Sequence, residues 1–307
     1  MGKIGYCCIP MGCNVDKKKK DHLLVNRGMN KKTFEAKGLD YVSQLSILNL
    51  QDTLKILDYN LDIGIPIYRF SSESIPWMSH YNISDLPQFD IISDLLLQIG
   101  NRVKQYDMRV SHHPGPFNVL SSENQAVVDK TINELNKHAE IFDLMGLEQS
   151  HYYPINIHVC TTAPNRDEAM RKFCDNFNLL SESCRKRLTV ENDDKPAQYS
   201  VKMLYEAIYS NIGIPIVFDQ HHFNFGPKDQ TMEEALRLAL STWTVTPLTH
   251  MSSPRTIEDP TSKKTAHADY IYERIETFGL DFDTEIEAKA KDLAVLKYKK
   301  DFIEGLA

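Results

Sequence analysis

The chain has 307 residues, of which 42% are hydrophobic and 25% are charged, and this composition is typical of a globular protein. The net charge of −7 argues against a protein that coats nucleic acid non-specifically, because such proteins are strongly basic. Six cysteines without C-x-x-C spacing, no leader and no run of about 18 apolar residues predict a non-secreted protein with reduced thiols and no membrane span.

Eight short β-rich segments recur along the chain, and amphipathic helical patterns separate most of them. The predicted strands cover residues 3–9, 65–71, 108–114, 155–160, 187–192, 214–219, 247–252 and 284–289. The helical patterns cover residues 45–61, 91–106, 126–146, 167–182, 200–213 and 231–243. Gly146 and Gly213 follow two of these patterns, at the position where a C-cap glycine is expected.

Eight strands that alternate with helices predict an α/β fold, a (β/α)₈ TIM barrel that forms one domain over residues 1–307. A doubly wound sheet is the alternative, but no G-x-G-x-x-G follows the first strand. Residues 11–40 are predicted to form a long first loop. We expect its Lys17–Lys20 run to be solvated, and a phosphate contact is the alternative for these lysines.

Side chains that commonly bind metals lie at or beyond the end of seven predicted strands. They are His80, His112, His113, His158, Glu191, Asp219, His221, His222, His250, His267 and Glu287. Functional groups of TIM barrels lie at the carboxyl ends of the strands, so we expect these side chains to converge. One such histidine is usually structural, whereas several at one end of a barrel indicate a site.

The donor types and their number indicate the kind of metal site. Imidazoles and carboxylates without thiolates favour Zn²⁺, Mn²⁺ or iron over a purely Mg²⁺ or Ca²⁺ site. There are more donors than one ion can use, so we predict two or three ions, with Glu191 and Glu287 available as bridging ligands. Such a site indicates hydrolysis of a phosphate ester, because paired metals can hold both the attacking and the leaving oxygen.

Nine motifs occur in the order in which they occur in the UV damage endonucleases, relatives of the AP endonuclease called endonuclease IV. The motifs are GYCC, PWMSH, SHHPGPF, INIH, TVENDD, VFDQHH, THMSS, AHADY and EIEAKAKD. The chain resembles this family over about residues 3 to 295. The resemblance implies a TIM barrel with up to three metal ions, typically Mn²⁺ or Zn²⁺. It also implies incision of damaged double-stranded DNA on the 5′ side of the lesion, leaving a 3′-hydroxyl and a 5′-phosphate.

The resemblance also implies roles for individual residues. The ligand set it selects is His80, His113, His158, Glu191, Asp219, His222, His250, His267 and Glu287. Glu191, Glu287 and Asp219 are the expected catalytic carboxylates. Strict alternation along a strand would put Asp219 and His221 on one face, so the choice of His222 requires that the strand end by residue 220.

Four residues are predicted to contact DNA. Tyr6 matches a family tyrosine near the damaged bases, and Phe117 matches the aromatic member of a wedge that enters the duplex. Lys263 and Lys264, next to His267, are candidates for phosphate contacts, and a solvated loop charge is the alternative.

Two positions depart from the family pattern. Pro116 replaces the glutamine of the wedge, so it offers no side-chain hydrogen bond to an exposed base, and the lesion preference is open. Leu248 stands where a bacterial relative has a modified lysine at the metal site. An AP-site or other lesion endonuclease is therefore the second hypothesis. A divalent-metal sugar isomerase is the third, and it would require fewer histidines and a catalytic lysine.

The resemblance also indicates a cellular context. Damaged double-stranded DNA is the expected partner, and we expect a monomer. We expect the protein in the cytoplasm, or in the nucleoid or nucleus with its DNA.

Overall fold

The computed structural model describes residues 2–14 and 22–304, and its centre is a parallel sheet of eight strands. The strands are β1 Ile4–Cys7, β2 Ile67–Arg69, β3 Arg109–Ser111, β4 Ile155–Ile157, β5 Leu188–Glu191, β6 Ile216–Asp219, β7 Leu248–Met251 and β8 Asp283–Ile286. Their order is β3-β2-β1-β8-β7-β6-β5-β4. A parallel bridge between His112 and Ile155 joins the two outer strands, so the sheet closes into the predicted (β/α)₈ barrel.

Helices follow the strands and cover the outside of the barrel. They are α1 Lys31–Asp62, α2 Phe89–Gln105, α3 Gln125–Leu144, α4 Arg166–Phe177, α5 Glu182–Arg185, α6 Val201–Leu204, α7 Ser210–Ile212, α8 Gln220–Phe225, α9 Met232–Leu240 and α10 Asp292–Phe302. The π-helical segment Tyr205–Tyr209 connects α6 to α7. All six predicted helical patterns are confirmed. Within the described residues, no helix is both long and apolar enough to cross a bilayer.

The long first loop ends earlier than predicted. Helix α1 begins at Lys31, where the side chain of Asn30 accepts a hydrogen bond of 2.9 Å from the backbone N–H of Thr33. Gly38 then interrupts the helix with a φ of 58°. The periodic pattern is visible only beyond this kink, because the turns before it are mostly solvent-exposed. The predicted boundary at residue 40 was therefore wrong, and Lys17–Lys20 lie outside the described residues.

The barrel interior changes from apolar to polar along the strands. Ile67, Val217 and Leu248 pack together with Trp243 in one buried cluster. Each of the three strand residues stands two positions before a polar side chain: Arg69, Asp219 and His250. Because alternate strand residues share a face, the polar side chains form the next layer towards the carboxyl ends. Leu248 therefore belongs to the apolar layer beneath the site.

Candidate metal centre

Glu191 is the centre of a cluster of imidazoles at the carboxyl ends of the strands. This fully buried carboxylate ends β5. Its oxygens lie 3.2 Å from Nε2 of His113, 3.0 Å from Nδ1 of His222 and 3.1 Å from Nδ1 of His250. Nε2 of His158 lies 3.7 Å away. Side chains from four different strands or strand-following loops thus meet at one carboxylate.

Glu287 forms a second part of the cluster, just after β8. Its Oε1 lies 2.5 Å from Nη1 of Arg69 and 3.5 Å from Nδ1 of His250. Nδ1 of His267 lies 2.8 Å from the Glu287 backbone oxygen and 3.6 Å from Oε2. His267 and Glu287 thus meet in the cluster, although 20 residues separate them in the sequence.

The junction of β6 and α8 explains why His222, rather than His221, faces the site. Asp219 is the N-cap of α8, and its Oδ1 accepts a hydrogen bond of 2.7 Å from the backbone N–H of His222. The chain is helical from Gln220 onward, so strand alternation no longer applies. His221 points elsewhere and its Nε2 lies 3.1 Å from the Thr265 carbonyl oxygen. The expected end of the strand by residue 220 is confirmed.

Several buried polar groups support the cluster, and sequence reasoning did not identify them. Oδ1 of Asp193 lies 3.0 Å from Nδ1 of His158, which leaves Nε2 of that ring facing Glu191. The amide of Asn156 donates to Glu191. Glu285 lies beneath Glu287 and accepts from Ser111 and Arg69. A period of two along β8 could have revealed Glu285, because it shares a strand face with Glu287.

The charges in the cluster keep its carboxylates ionised. Burial opposes ionisation of Glu191, but the charges of His250 and His158 outweigh it and hold its pKa well below the usual range. Burial is likewise outweighed at Glu287, where Arg69 and His250 lower the pKa well below its usual value. At His222, burial is outweighed by Asp219 and Glu191, and the pKa is raised well above its usual value. Ionised carboxylates of this kind attract cations.

The donor atoms are arranged as metal ligands would be. Three overlapping groups each bring ligand atoms within 4.8 Å of one another: His113, His158 and Glu191; His113, His250 and Glu287; and Glu191, Asp219 and His222. Among the described residues, Oδ2 of Asp219 is buried without a hydrogen-bond partner, and Nδ1 of His222 lies 3.8 Å from it. Buried carboxylate oxygens need a partner, and a divalent cation would supply it. The residues therefore fit a metal centre.

His80 does not join this cluster. It is exposed at the end of the 3₁₀ helix Met78–His80, with its ring centroid 5.0 Å from that of Trp77. It lines a neighbouring pocket, and Ser72 lines both that pocket and the one over the cluster. The structure thus does not place His80 with the other predicted ligands. Its role as a ligand stays a prediction.

Tyr6 is in the wrong place for its predicted DNA contact. Its side chain is fully buried, its hydroxyl donates to Oδ1 of Asn60 at 2.7 Å, and its ring packs edge-on against Tyr68. Successive residues of β1 face opposite sides of the barrel wall, and the side chain of Tyr6 is on the outer side, where it meets Asn60 of α1. Since no surface of the ring is available to DNA, the prediction for Tyr6 was wrong.

Phe117, Lys263 and Lys264 lie on the surface. Phe117 is 86% exposed, in the loop that follows β3. The preceding residues of that loop, Pro114–Pro116, line a pocket of about 360 Å³ together with His113, His158, His222 and Glu287. Lys263 and Lys264 are exposed in the loop after β7. These positions leave all three side chains free to meet a large ligand at the barrel mouth.

The fold and these donor groups define a (β/α)₈ barrel with a histidine–carboxylate centre at the carboxyl ends of its strands. Among family models, that of the UV-endonuclease UvdE matches residues 2–305. The chain belongs to this family, and the resemblance seen in its motifs is confirmed.

Individual relatives agree with the family match. A UV DNA damage endonuclease of Bacillus mycoides (strain KBAB4) is 34% identical over 269 residues, which cover 84% of this chain and 82% of the relative. One of Bacillus cereus (strain G9842) is 34% identical over 260 residues, 81% of this chain and 79% of the relative. The crystal structure of SacUVDE superposes with a TM-score of 0.84 and 29% identity, covering 100% of this chain and 99% of that one.

More distant structural similarity extends to sugar epimerases. A D-psicose 3-epimerase of Clostridium cellulolyticum H10 superposes with a TM-score of 0.54 over 76% of this chain and 78% of that one. The sequence identity is 10%, so this similarity shows the shared barrel and nothing about the reaction.

Proposed function

We propose that this protein is a metal-dependent DNA repair endonuclease. It hydrolyses the phosphodiester on the 5′ side of a UV photoproduct or related lesion and leaves a 3′-hydroxyl and a 5′-phosphate. The observation that carries the proposal is the set of imidazoles and carboxylates around Glu191, with one unpartnered buried oxygen on Asp219, in a chain of the UV-endonuclease family. The UV DNA damage endonucleases among its relatives support the choice of substrate.

The three overlapping donor groups would hold two or three divalent ions, Mn²⁺ or Zn²⁺. Glu191 belongs to two of the groups and would bridge ions, while Glu287 and Asp219 each complete one. His267 lies beside Glu287 and would complete the coordination there. When bound, the ions supply a water of lowered pKa as the nucleophile and stabilise the charge that develops on the leaving oxygen.

The residues of the chain prepare this chemistry before any substrate binds. The low pKa values of Glu191 and Glu287 keep both carboxylates charged at neutral pH, so they can hold cations and orient a water. Asp193 sets the ring of His158 so that Nε2 faces the cluster, as carboxylates behind metal-binding histidines commonly do. The ends of short strands hold these groups, and a barrel wall positions ligands more precisely than a mobile loop would.

DNA would approach the carboxyl ends of the strands. Phe117 projects from the loop over His113, where it can stack on a base or enter the gap left by a displaced nucleotide. Lys263 and Lys264 lie in another loop of the same face, and we assign them to phosphate contacts. We propose that the protein acts as a monomer, in the compartment that holds the cell's DNA.

The test is incision of end-labelled duplexes that carry a cyclobutane dimer, a 6-4 photoproduct, an abasic site or no lesion, with Mn²⁺ or Zn²⁺ added. We expect a single cut on the 5′ side of either photoproduct, with ends that a polymerase extends and a ligase joins. No cleavage of any duplex by protein with bound metal would refute the nuclease assignment.

An abasic-site endonuclease is the second candidate, and Pro116 favours it. A proline cannot offer the side-chain hydrogen bond that the family's glutamine provides, so recognition of a damaged base is weakened at this position. Cleavage of the abasic duplex alone would establish this candidate. A sugar isomerase has no such support, because no lysine lines the described pocket over the metal centre.

A further inference from the structure

Arg69 is a positively charged residue inside the metal centre, and the proposed reaction does not use it. It ends β2, is buried, and its guanidinium contacts three members of the site. Nε lies 2.7 Å from Oε2 of Glu285, Nη1 lies 2.5 Å from Oε1 of Glu287, and Nη2 lies 2.7 Å from Nε2 of His250. Arg69 therefore touches two of the proposed metal ligands and one carboxylate beneath them.

The charges around Arg69 are unbalanced without it. Four carboxylates meet at this end of the barrel: Glu191, Asp219, Glu285 and Glu287. Within the described part of the chain, Arg69 is the one lysine or arginine whose charged group contacts any of them. Buried carboxylates of like charge repel one another, so this guanidinium stabilises them in a metal-free barrel.

The contact with His250 conflicts with metal binding by the same ring. Nη2 of Arg69 lies 2.7 Å from Nε2 of His250, while Nδ1 of the same ring faces Glu191 and Glu287. A metal ion bound at Nδ1 would therefore lie close to the guanidinium, and two positive charges repel each other. The Arg69 contact and a metal ion thus compete at the same ring.

We propose that Arg69 is a positioning residue that stands in for the metal in the empty centre. Its guanidinium offsets the charge of the carboxylates before loading, and the metal supplies that positive charge after loading. Arg69 keeps its contacts with Glu285 and Glu287 in both states. The proposal rests on the metal centre of the proposed function.

The proposal makes a prediction that an ordinary structural ion pair does not. Arg69→Met should destabilise the metal-free protein strongly, with a fall in Tm on the order of 10 °C, because buried carboxylates lose their cation. With Mn²⁺ bound, the fall should be less than half as large, since the metal supplies the charge. The Mn²⁺ affinity should rise about tenfold, because a competing positive charge has been removed.

The experiment measures Tm with and without Mn²⁺, and Mn²⁺ affinity by isothermal titration calorimetry, on the full chain. Arg109→Met is the matched control, because Arg109 is a buried arginine of the barrel interior at the opposite end. We expect Arg109→Met to lower both Tm values equally and to leave Mn²⁺ affinity unchanged. The same behaviour in Arg69→Met would overturn the proposal, as would a weaker Mn²⁺ affinity.

Arg69→Lys covers the case in which Arg69→Met does not fold. Lysine keeps the charge but cannot reach Glu285, Glu287 and His250 together, so His250 is released and Mn²⁺ affinity should rise two- to threefold. A loss of affinity in Arg69→Lys would overturn the proposal. Wild-type protein that binds no Mn²⁺ or Zn²⁺ would instead refute the metal centre itself, and so the two failures are distinguishable.

Discussion

Both ends of the barrel contain buried charged side chains, but these are fully paired at the amino end only. At the amino end, Nη1 of Arg109 lies 3.0 Å from Oδ2 of Asp283, and Oδ1 of Asp283 accepts from the backbone N–H of Lys3 at 2.8 Å. Arg109 also donates to the Tyr152 carbonyl oxygen, and its guanidinium lies over the rings of Tyr152 and Trp243. Both oxygens of Asp283 have partners, and the pair closes the bottom of the barrel.

At the carboxyl end, not every buried carboxylate oxygen has a partner. Oδ2 of Asp219 is buried without a hydrogen-bond partner among the described residues, and four imidazoles surround the carboxylate of Glu191. A buried charge with a full set of partners stabilises a fold, whereas one with free oxygens leaves room for a ligand. The difference between the ends therefore separates structure from function within one set of strands.

The largest effect is expected at the carboxyl end. Glu191→Gln should retain the fold but reduce incision at least about 10³-fold, which corresponds to about 4 kcal/mol in the activation free energy. An amide cannot bridge two cations as a carboxylate does. End-labelled duplex incision with Mn²⁺ measures the effect, and circular dichroism checks the fold. Glu182→Gln, on the exposed surface, is the control and should keep full activity. Normal incision by Glu191→Gln would refute the bridging role.

A substitution at the amino end should change the stability of the protein rather than its activity. Arg109→Met should lower the free energy of unfolding by about 3–5 kcal/mol, because it leaves the carboxylate of Asp283 buried without its cation. Urea unfolding measures this change. Arg171→Met removes an exposed arginine that pairs with Glu168, and it should leave the unfolding free energy unchanged within error. Loss of metal binding in folded Arg109→Met would contradict the separation of the two ends.

His138 is a buried polar residue outside both ends of the barrel, so it tests whether an unpartnered polar group by itself indicates function. Its buried ring nitrogens also have no partner among the described residues, yet it lies on α3, with its ring centroid 4.6 Å from that of His112. Burial lowers the pKa of His138 to about 3. Between that value and the ordinary 6.5 the unfolded chain binds more protons, so stability is lost as the pH falls through this range.

The expected size of this loss is about 2 kcal/mol between pH 7 and pH 5. Urea unfolding at the two pH values should show that much less pH dependence in His138→Leu than in the wild type. Incision at pH 7 should be unchanged, since the ring of His138 packs against His112 and is not part of the cluster around Glu191. A large loss of incision in a stable His138→Leu protein would show that unpartnered nitrogens away from the cluster also serve the reaction.

The smallest effect is expected at the tip of the loop after β3. Phe117→Ala should weaken binding to a lesion duplex about tenfold, because stacking of an aromatic side chain on a base is lost. Thermal stability should not change, since the side chain is 86% exposed. Fluorescence anisotropy with a labelled duplex measures the affinity. Leu179→Ala, at an exposed apolar position after α4, is the control, and an equal loss in both variants would remove Phe117 from the interface.

Most of the candidate site could be predicted from the sequence because its residues follow recognisable strands. Apolar runs such as IPIVFD identify the strands, and the polar residue after each run is then placed at a known end of the barrel. The site residues hidden from this reasoning lie inside strands or behind ligands. Glu285 looks like an ordinary polar residue of a strand until the barrel closes, because its contact with Arg69 joins β8 to β2 across β1.

Two predictions failed or stayed open for reasons of side-chain direction. Tyr6 matches a family motif, but its position on β1 points outward to Asn60, and a motif does not show which way a side chain faces. His80 follows β2 as predicted, yet its ring packs against Trp77 rather than against the cluster. The direction of each side chain depends on packing between elements that are far apart in the sequence.

The sequence by itself determined the barrel, the order of its strands along the chain, and the family, because hydrophobic periodicity and ordered motifs are local properties. It also determined that imidazoles and carboxylates follow the strands. Only the tertiary structure decided that Glu191 is their centre, that helix α8 turns His222 inward, and that Arg69 lies among the carboxylates. These facts depend on contacts across the closed barrel, and no local pattern records them.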